Sequence, residues 1–195
     1  AADGGRSLVQ GNIATGNGGA IYSYSSRQSE ITIDASDVKN NQATESGGAI
    51  YNYVSTGNLS SWNVAATAIV NILNDSTMTG NQATNDGGTI YNYAYSYNSL
   101  NYGSDYIYAT SNATVNVIDS DIATGTAGNY GGAIYNYAYA YSYNSYYHAG
   151  GICHPYTLGW TYPTPSIGTA NATISLTNST IYDSQAKVGG GIYNY

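Results

Sequence analysis

Gly47-Gly48-Ala49-Ile50-Tyr51-Asn52-Tyr53 returns unchanged as Gly131 to Tyr137. Near copies run from Gly18 to Tyr24, with Ser23 for Asn, from Gly87 to Tyr93, with Thr89 for Ala, and from Gly189 to Tyr195, with Gly191 for Ala. Five copies of one segment in a chain of 195 residues mark an architecture of stacked, self-similar units. Working outward, eight or nine residues before each glycine pair lies an apolar residue: Val9, Val38, Met78, Ile122 and Ile181. A serine stands two residues before each of these (Ser7, Ser36, Ser76, Ser120, Ser179), and an alanine five after (Ala14, Ala43, Ala83, Ala127, Ala186). The first three units add an asparagine, at Asn12, Asn41 and Asn81, where the last two have Gly125 and Ser184.

Four units also carry an alternating apolar segment further upstream: Ile31-Thr32-Ile33, Val70 to Leu73, Val115-Asn116-Val117 and Ile174-Ser175-Leu176. Each full unit therefore reads as three short strands, with period-2 alternation, β-branched and aromatic residues, and corners of Gly, Asn, Asp and Ser. None of the three buries a face alone, so the chain is expected to be all-β: one domain over 1–195, a parallel β-helix of about five three-strand coils. Coils stacked about 4.8 Å apart place equivalent residues above one another. Ile21, Ile50, Ile90, Ile134 and Ile192 are then a stacking core ladder. The tyrosines on the opposite strand face form two exterior ladders. One is Tyr22, Tyr51, Tyr91, Tyr135 and Tyr193; the other is Tyr24, Tyr53, Tyr93, Tyr137 and Tyr195. A contiguous aromatic stripe of this kind suggests a contact surface.

The units lengthen along the chain because residues are inserted after the Tyr-x-Tyr strand, at 54–68, 94–112 and 138–170. These inserts, rich in Tyr, Ser and Asn, are expected to be loops on one edge of the solenoid, adjacent to the tyrosine stripe.

Composition narrows the function classes. Only 8% of residues are charged and the net charge is −7, with Arg6, Arg27, Lys39 and Lys187 the sole basic residues. Nucleic-acid binding lacks its basic footprint, and no apolar run reaches membrane-spanning length. Cys153 is the one cysteine, which excludes an internal disulfide. The start Ala1-Ala2-Asp3 resembles the product of signal-peptide cleavage and, with the low charge, points to an exported mature chain at the cell surface or outside it.

The Gly-Gly-Ala-Ile segments at Gly18–Ile21, Gly47–Ile50 and Gly131–Ile134 resemble the repeats of chlamydial polymorphic membrane proteins and related β-helical passenger domains of autotransporter adhesins. So do Val9-x-x-Asn12, Val38-x-x-Asn41 and Met78-x-x-Asn81, in which an aliphatic or Met side chain stands for the family's Phe. The resemblance implies a right-handed β-helix on a bacterial surface, with adhesion as the usual role. This chain departs from it in having no Phe, in its Tyr-x-Tyr tail and in having no translocator barrel.

Candidate chemistry is sparse. A glycosidase needs two carboxylates across one bond. Asp37 and Asp121 share a repeat position with Thr77 between them, and Asp119 with Asp121 forms an acidic patch; solvated corner residues are the expected role. His148, Cys153 and His154 cluster in the longest insert but make an incomplete ligand set, so no metal, cofactor or catalytic residue is assigned. Asn58, Asn74, Asn112, Asn171 and Asn178 are possible glycosylation sites, in a number the composition gives by chance. The expected function is a non-enzymatic extracellular structural or adhesive protein. The alternatives are a carbohydrate-binding or polysaccharide-cleaving β-helix and a monomeric adhesin fragment. Neither end reads as a polar cap, so stacking of the chain on itself, head to tail, into a surface filament is expected. Further partners are host or environmental surfaces or glycans, with no nucleic acid and no membrane span.

Replacing Ile50 or Ile134 by Asp is expected to abolish cooperative folding, because an unpaired buried charge costs several kcal/mol. Circular dichroism with urea unfolding checks this.

Overall fold

The structure, a computed structural model, describes residues 6–57, 63–100, 107–144, 146–147, 161–162 and 166–195. It is a parallel β-helix. The first four coils each run through four sheets in the order A, B, C, D, and the fifth contributes strands to A and C. Sheet A contains Ser7–Gln10, Ser36–Lys39, Thr77–Thr79, Asp121–Ala123 and Thr180–Tyr182. Sheet B contains the two-residue strands Ile13–Ala14, Gln42–Ala43, Gln82–Ala83 and Thr126–Ala127. Sheet C contains Ile21–Ser25, Ile50–Thr56, Ile90–Leu100, Ile134–Asn144 and Ile192–Asn194. Sheet D contains Gln28–Asp34, Asn63–Leu73, Ile107–Ile118 and Ser166–Thr177. Neighbouring strands in all four are parallel, with repeat equivalents paired: Val9 with Val38, Val38 with Met78, Ala43 with Ala83, Ile50 with Ile90. No helix among the described residues is long and apolar enough to cross a membrane.

Two details differ from the sequence reading. The coil has four strands rather than three, because the alanine position, expected at a corner, is a short strand of its own. The inserts also extend the strands of C and D where they are described, instead of forming loops. Residues 94–100, 107–112, 138–144 and 166–170 are all strand, and Tyr146–Tyr147 pairs antiparallel with Thr161–Tyr162.

The extension divides the core in two. Inside the main coil, Val38, Ile50, Val70, Ile72, Met78, Ile90, Val115, Val117, Ile122 and Ile134 are fully buried, with Val9, Ile21 and Ile181 packed against them. Beyond it, sheets C and D continue as a two-layer flange. Its interior is lined by Val54, Ala66, Ala68, Ala94, Ala113 and Ala138, together with Ser96 and Ser111. Small side chains keep this second layer thin, and Ser111 bridges it: its hydroxyl donates to the Tyr139 carbonyl at 2.7 Å and lies 2.9 Å from the Ser96 hydroxyl, from which it accepts.

Corners are where a chain of L-residues needs help. At the turn from D to A the backbone enters the left-handed region at Ala35, Asp75, Asp119 and Asn178, with φ of 44–60°. The serine after each satisfies the groups this leaves unpaired. Ser36, Ser76 and Ser120 each donate their backbone N–H to the hydroxyl of the serine one coil on, at 3.1–3.2 Å. The hydroxyls donate to carbonyls of their own corner, as Ser76 does to Leu73 at 2.6 Å. Before sheet C the glycine pair works differently at its two positions. Gly47 has φ of 69°, and Gly48 packs so closely on the next coil that a Cβ would lie 1.9 Å from the Gly88 carbonyl oxygen.

Gly48→Ala is therefore expected to destabilise the fold by about 3 kcal/mol or more, as a steric clash between backbones that cannot part without breaking the ladder. An exposed control such as Gly57→Ala, with open space around it, leaves stability nearly unchanged. Urea unfolding of both variants is the measurement.

Candidate functional site

Sheet C displays one face to the interior and one to the exterior, and the alternation Ile-Tyr-Asn-Tyr decides which residue goes where. Ile21, Ile50, Ile90, Ile134 and Ile192 pair in register, and the three in the middle are fully buried. Asn52, Asn92 and Asn136 lie on the same inner face, also fully buried. Their amides form a chain: Asn52 Nδ2 donates to Asn92 Oδ1 at 2.9 Å, Asn92 to Asn136 at 2.8 Å, and Asn136 to Asn194 at 2.8 Å. A second chain runs along the corner after sheet A, from Asn12 to Asn41 at 2.9 Å and on to Asn81 at 3.0 Å. Buried amides are tolerated because each finds an identical partner one layer away.

On the outer face the tyrosines stack. Tyr22, Tyr51, Tyr91, Tyr135 and Tyr193 have successive ring centroids 4.8–5.2 Å apart. Tyr24, Tyr53, Tyr93, Tyr137 and Tyr195 follow at 5.0–5.4 Å. Interplanar angles within both columns lie between 2° and 19°. Two shorter columns continue the face onto the flange: Tyr95 on Tyr139 and Tyr97 on Tyr141, each at 5.7 Å. The sequence reading did not include these, although Tyr93-x-Tyr95-x-Tyr97 and Tyr137-x-Tyr139-x-Tyr141 keep the same period of two. The flange thus widens the tyrosine face rather than covering it or lying beside it. Tyr130, also missed, sits tilted at 48° against Tyr193, 4.8 Å between centroids.

Stacking has a chemical consequence. Ring faces are taken up by neighbouring rings, so the surface presents ring edges and hydroxyls. Rings at the outer layer are more exposed, Tyr22 at 58% and Tyr24 at 61%, while Tyr135 is buried. Burial, with like neighbours adding to it, pushes the hydroxyls of Tyr51, Tyr91 and Tyr93 far above their ordinary value of 10.0. Tyr95 and Tyr137 shift the same way for the same reasons, as does Tyr135, where the Asp86 charge is the next contributor after burial.

The acidic candidates serve the corners and the sheet A surface. Asp37 is held well below the usual carboxylate range by hydrogen bonds from Lys39, at 2.8 Å, and Thr77, at 2.7 Å, with Arg6 at 2.6 Å completing the set. Asp121 accepts from the Thr180 hydroxyl and backbone N–H, and Asp119 accepts from Asn178 at 3.1 Å. Asp37 and Asp121 lie on opposite sides of Thr77, two strand spacings apart. Asp75, Asp119 and Asp121 line an open cleft of about 380 Å³ with Ser76, Thr77, Ser120 and Asn178. Among the described residues no group of three His, Cys, Asp or Glu side chains is placed to hold a metal. His148, Cys153, His154 and Asn58 lie outside the described residues. The remaining sequon asparagines are all hydrogen-bonded. Asn171 donates to Asn112 on the outer face of sheet D at 3.0 Å, and Asn74 and Asn178 donate to Asp34 and Asp119 at corners.

The repeat of the Chlamydia polymorphic membrane protein family matches this chain at residues 6–24, 36–53 and 75–93. Those are the three units that carry both the glycine pair and an asparagine of the chain Asn12-Asn41-Asn81. No curated protein and no solved structure matches the chain.

Because Tyr51, Tyr91, Tyr93, Tyr95, Tyr135 and Tyr137 resist ionisation in the folded state, the unfolded chain releases these protons first as pH rises past about 10, and stability falls from there upward. Below that pH the contribution is fully present. In alkaline titration the phenolate absorbance of these six tyrosines is expected to appear together with loss of the β-sheet dichroism; their ionisation in a chain that keeps its dichroism contradicts the buried, stacked arrangement.

Proposed function

We propose that the chain is a non-enzymatic, extracellular structural and adhesive solenoid that contacts surfaces through its tyrosine face. The observation that carries this is the face itself: four tyrosine columns in register, uncharged, flat and continuous from the coil onto the flange. Tyrosine gives contact area with little side-chain entropy to lose, and its edge-on hydroxyls donate and accept hydrogen bonds. A neutral polar surface of this type suits host or environmental surfaces and glycans that offer hydroxyls and amides. The family repeat in three units supports a location at a bacterial surface, and resemblance to adhesin passenger domains supports the role.

Head-to-tail assembly belongs to the same proposal. The tyrosine columns repeat at 4.8–5.4 Å from coil to coil, a spacing at which a further layer continues them in register. A second copy supplies such a layer, and a contact between unlike ends does not close on itself. The polysaccharide-cleaving alternative draws no support from the cleft beside Asp119 and Asp121, where hydrogen bonds from the neighbouring coil hold both carboxylates.

Electron microscopy and sedimentation of the chain at micromolar concentration test assembly, and retention on hydroxylated surfaces or glycan arrays tests adhesion. Filaments of one coil's width and binding lost in Tyr93→Lys/Tyr137→Lys are the expected results. A discrete monomer overturns the assembly, and undiminished binding by that variant overturns the role of the face.

A further inference from the structure

We propose that the pairs Tyr95–Tyr139 and Tyr97–Tyr141 are sites of oxidative phenol coupling, through which the third and fourth coils are joined by dityrosine bonds. Both pairs are fixed in register by the backbone of sheet C. Their rings are parallel, with interplanar angles of 2° and 4° and centroids 5.7 Å apart. That places two phenols side by side without any need for diffusion, which is the condition under which a coupling of two short-lived radicals succeeds.

These two columns differ from the longer ones in a way that matters for the reaction. Tyr91 is stacked on both sides, at 4.8 Å from Tyr51 and from Tyr135, and has no room to turn. Tyr95 instead has Ser55 on one side and Tyr139 on the other. Tyr97 lies past Ser96, the last residue of its strand paired to the preceding coil. Each ring of the short columns keeps one face stacked, so rotation about χ1 and χ2 brings ring carbons together while the strands stay paired. Tyr139 and Tyr141 are 40% and 43% exposed, which admits an oxidant. Met78, the one methionine, is fully buried and does not compete.

The oxidant is hydrogen peroxide acting through a haem peroxidase. Each phenol gives up one electron and its hydroxyl proton, leaving a phenoxyl radical. The two radicals join at the carbons ortho to oxygen, and the two ring hydrogens at those carbons move to the oxygens as the rings regain aromaticity. One C–C bond forms, two hydrogens are lost overall, and peroxide is reduced to two waters. A chain whose single cysteine excludes an internal disulfide gains a covalent link between coils.

The experiment treats the folded full chain, dilute, with hydrogen peroxide and a haem peroxidase. Dityrosine fluorescence and peptide mapping by mass spectrometry follow the product. Expected are intramolecular cross-linked peptides joining Tyr95 to Tyr139 and Tyr97 to Tyr141, each lighter by two hydrogens, and at least tenfold slower unfolding in urea. Tyr139→Phe/Tyr141→Phe keeps the stacked rings and the dichroism but removes both links; Tyr95→Phe removes one. Three results overturn the proposal: the same links forming equally in the urea-unfolded chain, links only between molecules, or oxidation confined to Cys153, Trp62 and Trp160.

Discussion

Each residue in this fold meets its own repeat equivalent one layer away, because four parallel sheets pair the coils in register. A side chain that recurs at one position of the repeat is therefore acceptable only if it associates well with a copy of itself. Isoleucine packs on isoleucine, serine and asparagine each donate and accept, and tyrosine stacks on tyrosine. Like charges placed directly opposite repel, and within the paired strands Glu30, Asp34, Asp37, Lys39 and Asp121 all lie opposite uncharged residues. The unusual composition, with 8% charged residues and 24 tyrosines, is what such pairing demands of a chain that still keeps a polar surface.

The two asparagine chains show how strict the pairing is. A primary amide has a donor at one end and an acceptor at the other, so a stack of amides is satisfied only if all point the same way. Here every Nδ2 donates toward the later coil. Where the repeat breaks, the pairing fails at once. Coil one has Ser23 in place of asparagine, the Ser23 hydroxyl turns to Ser29 at 2.6 Å, and Asn52 Oδ1 is left buried with no partner among the described residues. An orphaned buried acceptor costs about 1–3 kcal/mol, which the intact layers above it offset.

Much of this was legible in the residues. The five Gly-Gly segments were enough to place the isoleucines inward, the tyrosines outward and the coils in parallel. The fourth sheet was not legible, because a Gln-Ala strand of two residues is too short to show alternation. The flange was hidden by its composition: Tyr, Ser, Asn and Ala are what a loop contains, and the small residues that line its interior carry no strong apolar signal. Its period of two was present from Tyr93 to Tyr97 and from Tyr137 to Tyr143, and that regularity outweighs composition when a neighbouring strand is available to pair. Asn52 was left unassigned, although the parity set by Ile50 puts it inside with the isoleucine, where it is fully buried.

The strands of C and D widen from the first coil to the fourth and C narrows again to Ile192–Asn194 in the fifth, and this profile has a mechanical consequence. Hydrogen bonds between coils run along the solenoid axis, so axial tension loads them directly. The first two coils share five registered residues in sheet C and seven in sheet D, whereas the next-to-last interface shares eleven in C and the last twelve in D. Under a rising pull the narrow coils peel first, one layer at a time, and lengthen the chain while the wide coils hold. A load then dissipates in steps at the two narrow ends, since the last sheet C interface shares only three registered residues, and the broad tyrosine-bearing middle of the molecule stays seated until the last.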